Sequence, residues 1–150
     1  MRRAIALSRE GVERGGSGPF GAVVVLGDRI VGEGANQVTS SLDATANAEI
    51  VAIRSACANL ARFELRGCEI FTSCEPCPMC LGAIYWARLD RIHYANDRLD
   101  AARIGFDDAL VYRELALAPD ARRLLMVRLL ADEARAVFEE WARRPDRVSY

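Results

Sequence analysis

Cys68-Glu69-Ile70-Phe71-Thr72-Ser73-Cys74 runs straight into Glu75-Pro76-Cys77-Pro78-Met79-Cys80, and this junction decides the fold. The first seven residues alternate β-favouring side chains, which predicts a central strand. Pro76 and Pro78 admit a helix only at its first turn, so a helix is expected from about Cys77 to about Arg88. Arg91-Ile92-His93-Tyr94-Ala95 reads as the next strand, completing a strand–helix–strand unit.

Upstream, Ala4, Leu7 and Gly11 share one face of an opening helix, with Ile5 and Val12 beside it. Gly15-Gly16-Ser17-Gly18-Pro19 ends that helix. Gly21 to Leu26 and Arg29 to Glu33 form a β-hairpin across Gly27-Asp28. A polar connection from Asn36 to Asp43 follows. Thr45 is the expected N-cap of a second helix, whose apolar face is Ile50, Ile53, Cys57 and Leu60. Downstream, residues 101–117 read as mainly helical, interrupted by Gly105-Phe106-Asp107-Asp108. Leu124 to Leu129 is expected as a last strand, and Leu130, Ala134, Val137, Phe138 and Trp141 mark a final amphipathic helix. Strands alternating with helices after the hairpin imply an α/β sandwich, a mixed sheet covered by helices. Neither repeats nor a linker appear, so residues 1–150 are expected to form a single domain.

The chain has 150 residues, 51% of them hydrophobic and 27% charged, which is ordinary globular composition. No stretch reaches the roughly 20 apolar residues of a membrane span. A polar run from Ser8 to Arg14 interrupts any leader-like apolar region, so a cytoplasmic protein is expected. The net charge is −1 at pH 7, and every basic residue is Arg. That balance gives no electrostatic reason to expect a nucleic-acid partner. Of the five cysteines, three crowd into positions 74–80, which suits a metal site in a reducing compartment better than a disulfide framework. Cys57 and Cys68 fall on apolar positions and read as buried small hydrophobes.

Cys77 and Cys80, three apart at a helix start, place two sulfurs on one face about one turn apart. A helix N-terminus favours the thiolate, which is the metal-binding form. Two thiolates leave zinc one position for a third protein ligand and one open position, and an open position separates catalytic from structural zinc. About thirty residues upstream, Asn47-Ala48-Glu49 sits at the other helix start. Glu49, two residues after the third-ligand position, can stand beside the open position without binding metal and shuttle protons there. Read alone, Glu49 would be an ordinary acidic residue favoured at a helix N-terminus.

The two motifs together resemble the zinc deaminase signature H-x-E followed by P-C-x-x-C. Gly18-Pro19-Phe20-Gly21-Ala22, Gly34-Ala35-Asn36, residues 43–50, Ser73 to Cys80 and residues 104–108 match in order. On these residues the chain resembles the cytidine deaminase superfamily, and within it the bacterial guanine deaminases and related nucleobase deaminases. The resemblance implies a three-layer sandwich with a mixed five-stranded sheet and helices on both faces. It implies zinc as cofactor, held by Cys77, Cys80 and the residue at position 47, with Glu49 as catalytic proton shuttle. For substrate binding it implies Asn36 on the base, the Ala48 backbone amide beside it, and Asp107, Asp108 and Tyr150 enclosing guanine. The implied reaction is hydrolytic deamination of a free purine base, guanine to xanthine and ammonia. A homodimer is expected, with residues from about 130 to 150 exchanged between subunits.

On the residues alone, Asn36 equally caps a turn, Asp107-Asp108 equally forms a solvated helix start, and Tyr150 is simply a chain end. His93 is expected to serve packing or an interface rather than metal. Two positions depart from the family pattern: Ala44 replaces the usual Pro, and Asn47 the usual His or Cys. A carboxamide oxygen is a poorer zinc donor than imidazole. Asn47 is therefore a weak ligand, a disabling substitution, or the mark of a base-binding module that does no chemistry. Transfer RNA adenosine deamination and cytosine or nucleoside deamination stay open beside the guanine reaction.

Overall fold

In the computed structural model, which describes residues 1–15 and 17–149, the Cys68–Cys74 run is a strand with the expected bounds. Two compact units divide the chain, Met1–Ala109 and the residues from Leu110 onward. In order, the first unit comprises α1 (Arg2–Glu13), β1 (Gly21–Leu26), β2 (Arg29–Ala35), the short α2 (Val38–Ser41), α3 (Ala48–Leu60), β3 (Cys68–Cys74), α4 (Pro78–Trp86), β4 (Arg91–Asn96) and α5 (Arg98–Arg103).

The described strands form one sheet in the order β2-β1-β3-β4. β1 pairs antiparallel with β2 and with β3, whereas β3 and β4 run parallel, joined by α4. Parallel neighbours require such a crossover, because a tight turn cannot reverse the chain twice. The sheet is mixed and covered on both faces. Ala22 and Val24 of β1 face the main core with Ala52, Ile53, Leu65, Ile70 and Ile84. Val23, one residue out of phase, packs under Ala4 and Leu7 of α1 with Val25 and Phe71. Alternate residues of one strand thus serve two layers.

Two sequence expectations are corrected for α3. Its N-cap is Asn47, not Thr45, because the Thr45 N–H and hydroxyl both donate to Asp43 Oδ1 at 2.8 and 2.7 Å. Its most buried face is Ala48, Glu49, Ala52, Ile53 and Ala56, with Ile50, Cys57 and Leu60 only half-buried or packed at the margin. The alanines face Gly32 and Gly34 of β2. A Cβ on Gly34 would overlap the Ala48 carbonyl and lie 2.6 Å from the Ala52 nitrogen. The helix therefore rests on the strand backbone, which only glycine permits.

α6 (Ala109–Ala116) begins on the last residue of the first unit, and the second unit continues with a 3-10 turn (Pro119–Ala121) and α7 (Ala131–Arg143). The fifth strand expected at Leu124–Leu129 does not form, so the described sheet has four strands. β-favouring residues need a neighbouring ladder to become a strand, and this segment has none among the described residues. Leu124, Leu125, Val127 and Leu129 stay 75–81% exposed. The apolar stripe of α7 is likewise uncovered at Val137 and Phe138. No described helix is long and apolar enough to cross a membrane.

Gly34→Ala is expected to cost about 1–3 kcal/mol by forcing α3 off the sheet. Thermal unfolding reads this as a melting point several degrees lower. An unchanged melting point would mean that the strand tolerates a side chain there.

Candidate active site

α3 and α4 begin side by side beyond the carboxyl end of β3, the position where α/β sheets characteristically place ligands. Asn47 and Cys77 are the two N-caps, both in extended backbone conformation, and Pro78 opens α4 as expected. The Asn47 side chain makes no hydrogen bond to its own helix. It turns toward the sulfurs instead. Asn47 Nδ2 lies 3.6 Å from Cys77 Sγ and 3.4 Å from Cys80 Sγ.

Glu49 is 5% exposed, next to the sulfurs. The Cys80 thiol donates to Glu49 Oε2 at 3.4 Å, and the Thr72 hydroxyl lies 3.1 Å from Glu49 Oε1. Burial pushes the Glu49 carboxyl above its ordinary value, against these hydrogen bonds, which favour the ionised form. Cys77 is pushed down to about 7, chiefly by hydrogen bonding from Cys80. The same bond, together with burial, pushes Cys80 up. Cys74 holds its proton, pushed up to about 11 by burial and by the charge of Glu49. It thereby differs from Cys77, the cysteine of the motif that is driven toward the thiolate.

These residues border a cavity of about 750 Å³. Asn36, Asn47, Glu49, Cys77, Asp107 and Asp108 all line it, so most of the sequence-predicted residues come together. Cys80 and Ala48 are fully buried behind it. Tyr150 lies outside the described residues. Asn36 caps a turn, one of its two sequence readings: its Oδ1 accepts the Val38 N–H at 3.1 Å. The acidic pair divides its duties. Asp107 caps α6 by accepting the Ala109 N–H at 2.9 Å, whereas burial pushes the half-buried Asp108 carboxyl up.

Three contributors escaped sequence reasoning. Phe20 and Phe106 meet edge to face, centroids 4.9 Å apart, and form an aromatic wall. Glu75 accepts the Arg98 N–H at 3.1 Å and ties the start of α5 to the cysteine motif. Thr72 holds Glu49 from beneath. The first two sit inside quoted motifs. Thr72 gave no signal, since a strand threonine is commonplace. His93 stacks on Phe71 and pairs with Glu69 at 2.7 Å, in keeping with packing.

Among the described residues no group of three His, Cys, Asp or Glu could hold a metal. The donor set still fits zinc when Asn47 is counted. Corners of a zinc tetrahedron with sulfur and oxygen ligands stand about 3.6 Å apart. The Asn47 atom that lies at this range from both sulfurs is Nδ2, which donates to them, so its amide oxygen would have to supply the third ligand.

The family described as the cytidine and deoxycytidylate deaminase zinc-binding region matches residues 1–96. The chain belongs to this deaminase family. Its whole length aligns with the guanine deaminase of Bacillus subtilis, 45% identical over 150 residues and covering 96% of that protein. The X-ray structure of guanine deaminase from Bacillus subtilis matches with a TM-score of 0.95, over 99% of this chain and 95% of that one. A guanine deaminase structure from Nitrosomonas europaea matches at 31% identity and a TM-score of 0.67, over 93% of this chain and 80% of that one. The tRNA-specific adenosine deaminase of Agrobacterium fabrum is 39% identical over 94 residues, covering 63% of this deaminase-family chain and 61% of that protein.

The raised carboxyl of Glu49 contributes to the pH dependence of the metal-free protein. Ionising a buried acid destabilises the fold, so the penalty is absent below the ordinary value of 4.5 and grows as pH rises above it. Chelator-treated Glu49→Gln should therefore melt above the parent at pH 7, by about 2–4 °C per kcal/mol relieved. The gap should close near pH 4. Equal melting points at pH 7 would mean that the carboxylate bears no burial penalty.

Proposed function

We propose that this chain hydrolyses guanine to xanthine and ammonia in a zinc-dependent reaction, in the cytoplasm. The observation that carries the proposal is Glu49, buried beside Cys77 and Cys80 at the floor of the cavity. The whole-length likeness to guanine deaminase supports guanine as the base.

Asn47, Cys77 and Cys80 would hold the zinc, which when bound acts as a Lewis acid toward water. Glu49 takes a proton from the attacking water. It then delivers that proton to the ring nitrogen beside C2, takes the second proton from the hydroxyl now bound to C2, and passes it to the amino group, which leaves as ammonia as the C2 carbonyl forms. Thr72 keeps the carboxylate aimed while this happens. Asp108 offers an acceptor to the N–H edge of the base, and Asn36 an amide donor to a ring oxygen or nitrogen. The Ala48 amide lies at the start of α3 beside them. The wall of Phe20 and Phe106 suits a flat heterocycle. Asp107 and Tyr150 complete the enclosure of the base in this proposal.

The biological unit proposed is a homodimer of one deaminase domain per chain, with the segment from about 130 to 150 exchanged between subunits. Exposed Tyr85 on α4, Leu124 to Leu130 and the α7 stripe support it, since so much apolar surface calls for cover. Light scattering at micromolar concentration should give twice the 16.5 kDa chain mass, and a monomer would end the dimer proposal.

With zinc supplied, guanine should yield xanthine and ammonia. Glu49→Gln should lower turnover by roughly 10²–10⁴-fold without unfolding the chain. Release of ammonia from cytosine or adenine but not guanine would overturn the substrate assignment.

A further inference from the structure

We propose that Arg98 is a specificity-determining residue of this site: its guanidinium reads the O6 and N7 edge of guanine, while Asp108 takes the donating N1–H. The inference rests on the guanine reading above and deepens it by assigning the group that recognises the carbonyl edge.

Guanine presents two unlike edges. O6 and N7 lie side by side and accept hydrogen bonds, whereas N1 and the 2-amino group donate. A site that selects this base needs an acceptor for one edge and a paired donor for the other. Carboxylates meet the first need, since Glu49, Glu75, Asp107 and Asp108 all line the cavity. Among the described lining residues Arg98 is the one cation. The Ser17 and Thr39 hydroxyls also line it, but they lie 3.2 Å apart and engage each other. A guanidinium carries its N–H groups in a rigid fork that fits two adjacent acceptors, which an ammonium or a hydroxyl cannot match.

The backbone that carries Arg98 is pinned by three carboxylates. Glu75 Oε2 accepts the Arg98 N–H at 3.1 Å. Asp97 and Asp100 form a reciprocal capping box, with Asp97 Oδ1 accepting the Asp100 N–H at 2.8 Å and Asp100 Oδ2 the Asp97 N–H at 3.2 Å. Anchoring the main chain leaves only side-chain freedom to be lost when a ligand binds. Arg98 also stands close enough to Asp108 for its charge to oppose the burial that raises the Asp108 carboxyl. Donor and acceptor are therefore neighbours at one cavity, where the wall of Phe20 and Phe106 suits a flat ring.

7-Deazaguanine keeps O6, N1–H and the 2-amino group of guanine but has a C–H in place of N7. Calorimetric titration of the zinc-loaded chain with each base reads the preference directly, with ammonia release followed alongside. The parent should bind guanine roughly 5–150-fold more tightly than 7-deazaguanine. Arg98→Met should reduce that preference to about 2-fold or less by losing guanine affinity, and Arg98→Lys, which keeps the charge beside Asp108 but not the fork, should stay nearly as low. Equal losses on both bases in Arg98→Met, an unchanged preference, or full recovery in Arg98→Lys would each overturn the proposal. Guanine bound with an Arg98-dependent preference but never deaminated would refute the function reading alone. Guanine deaminated with the same preference over 7-deazaguanine by parent and Arg98→Met would refute the role of Arg98 alone.

Discussion

Where α3 meets β2, the helix backbone at Ala48, Ala52 and Ala56 lies directly on Gly32 and Gly34. Contact this close admits very little sliding or tilting, since every displacement drives backbone atoms into backbone atoms. Glu49 and Asn47 occupy the first turn and the cap of that helix, on either side of Ala48, so their positions follow from this packing. A second helix, α4, starts beside the first because Pro78 fixes its opening turn after β3. The site is thus an intersection of two rigid supports, and loops contribute only its outer walls.

Placing a carboxylate among buried sulfurs is unfavourable, and the surroundings divide the burden. The Thr72 hydroxyl and the Cys80 thiol engage one Glu49 oxygen each, while the start of α3 supplies the partial positive charge of a helix N-terminus. What remains after these contributions is a group whose proton affinity is raised but whose direction is fixed. A proton carrier needs both properties. The cysteine pair shows the same division, one sulfur driven toward ionisation and its neighbour away from it.

The strand at Cys68–Cys74 and the helix after Pro78 were legible in the sequence because alternation and proline act locally. Cys77, Cys80 and Glu49 were legible because chemistry restricts which residues serve at that spacing. Thr45 misled as a cap because its side chain was claimed by Asp43, a competition that a propensity cannot reveal. The packed face of α3 was hidden because it is built from alanine and glycine, which carry little hydrophobic signal yet permit the closest approach. Leu124–Leu129 read as a strand on composition, but strand formation depends on a neighbour that sequence does not supply. The difference between Asp107 and Asp108 emerged only from three dimensions, since both line the cavity but only Asp107 accepts the Ala109 N–H at the start of α6.

α2 and α3 both end on residues in the left-handed conformation, Leu42 at φ 54° and Ala61 at φ 50°. Arg88, just beyond α4, adopts the same conformation at φ 58°. Glycine ordinarily takes such positions, because a side chain there costs about 1–2 kcal/mol. Leu42 is almost wholly exposed, so that strain brings it no packing in return. The scaffold around the site consequently sits below the stability its topology permits. Three loop-side positions, all outside the cavity lining, give laboratory evolution room to absorb destabilising changes at the catalytic centre.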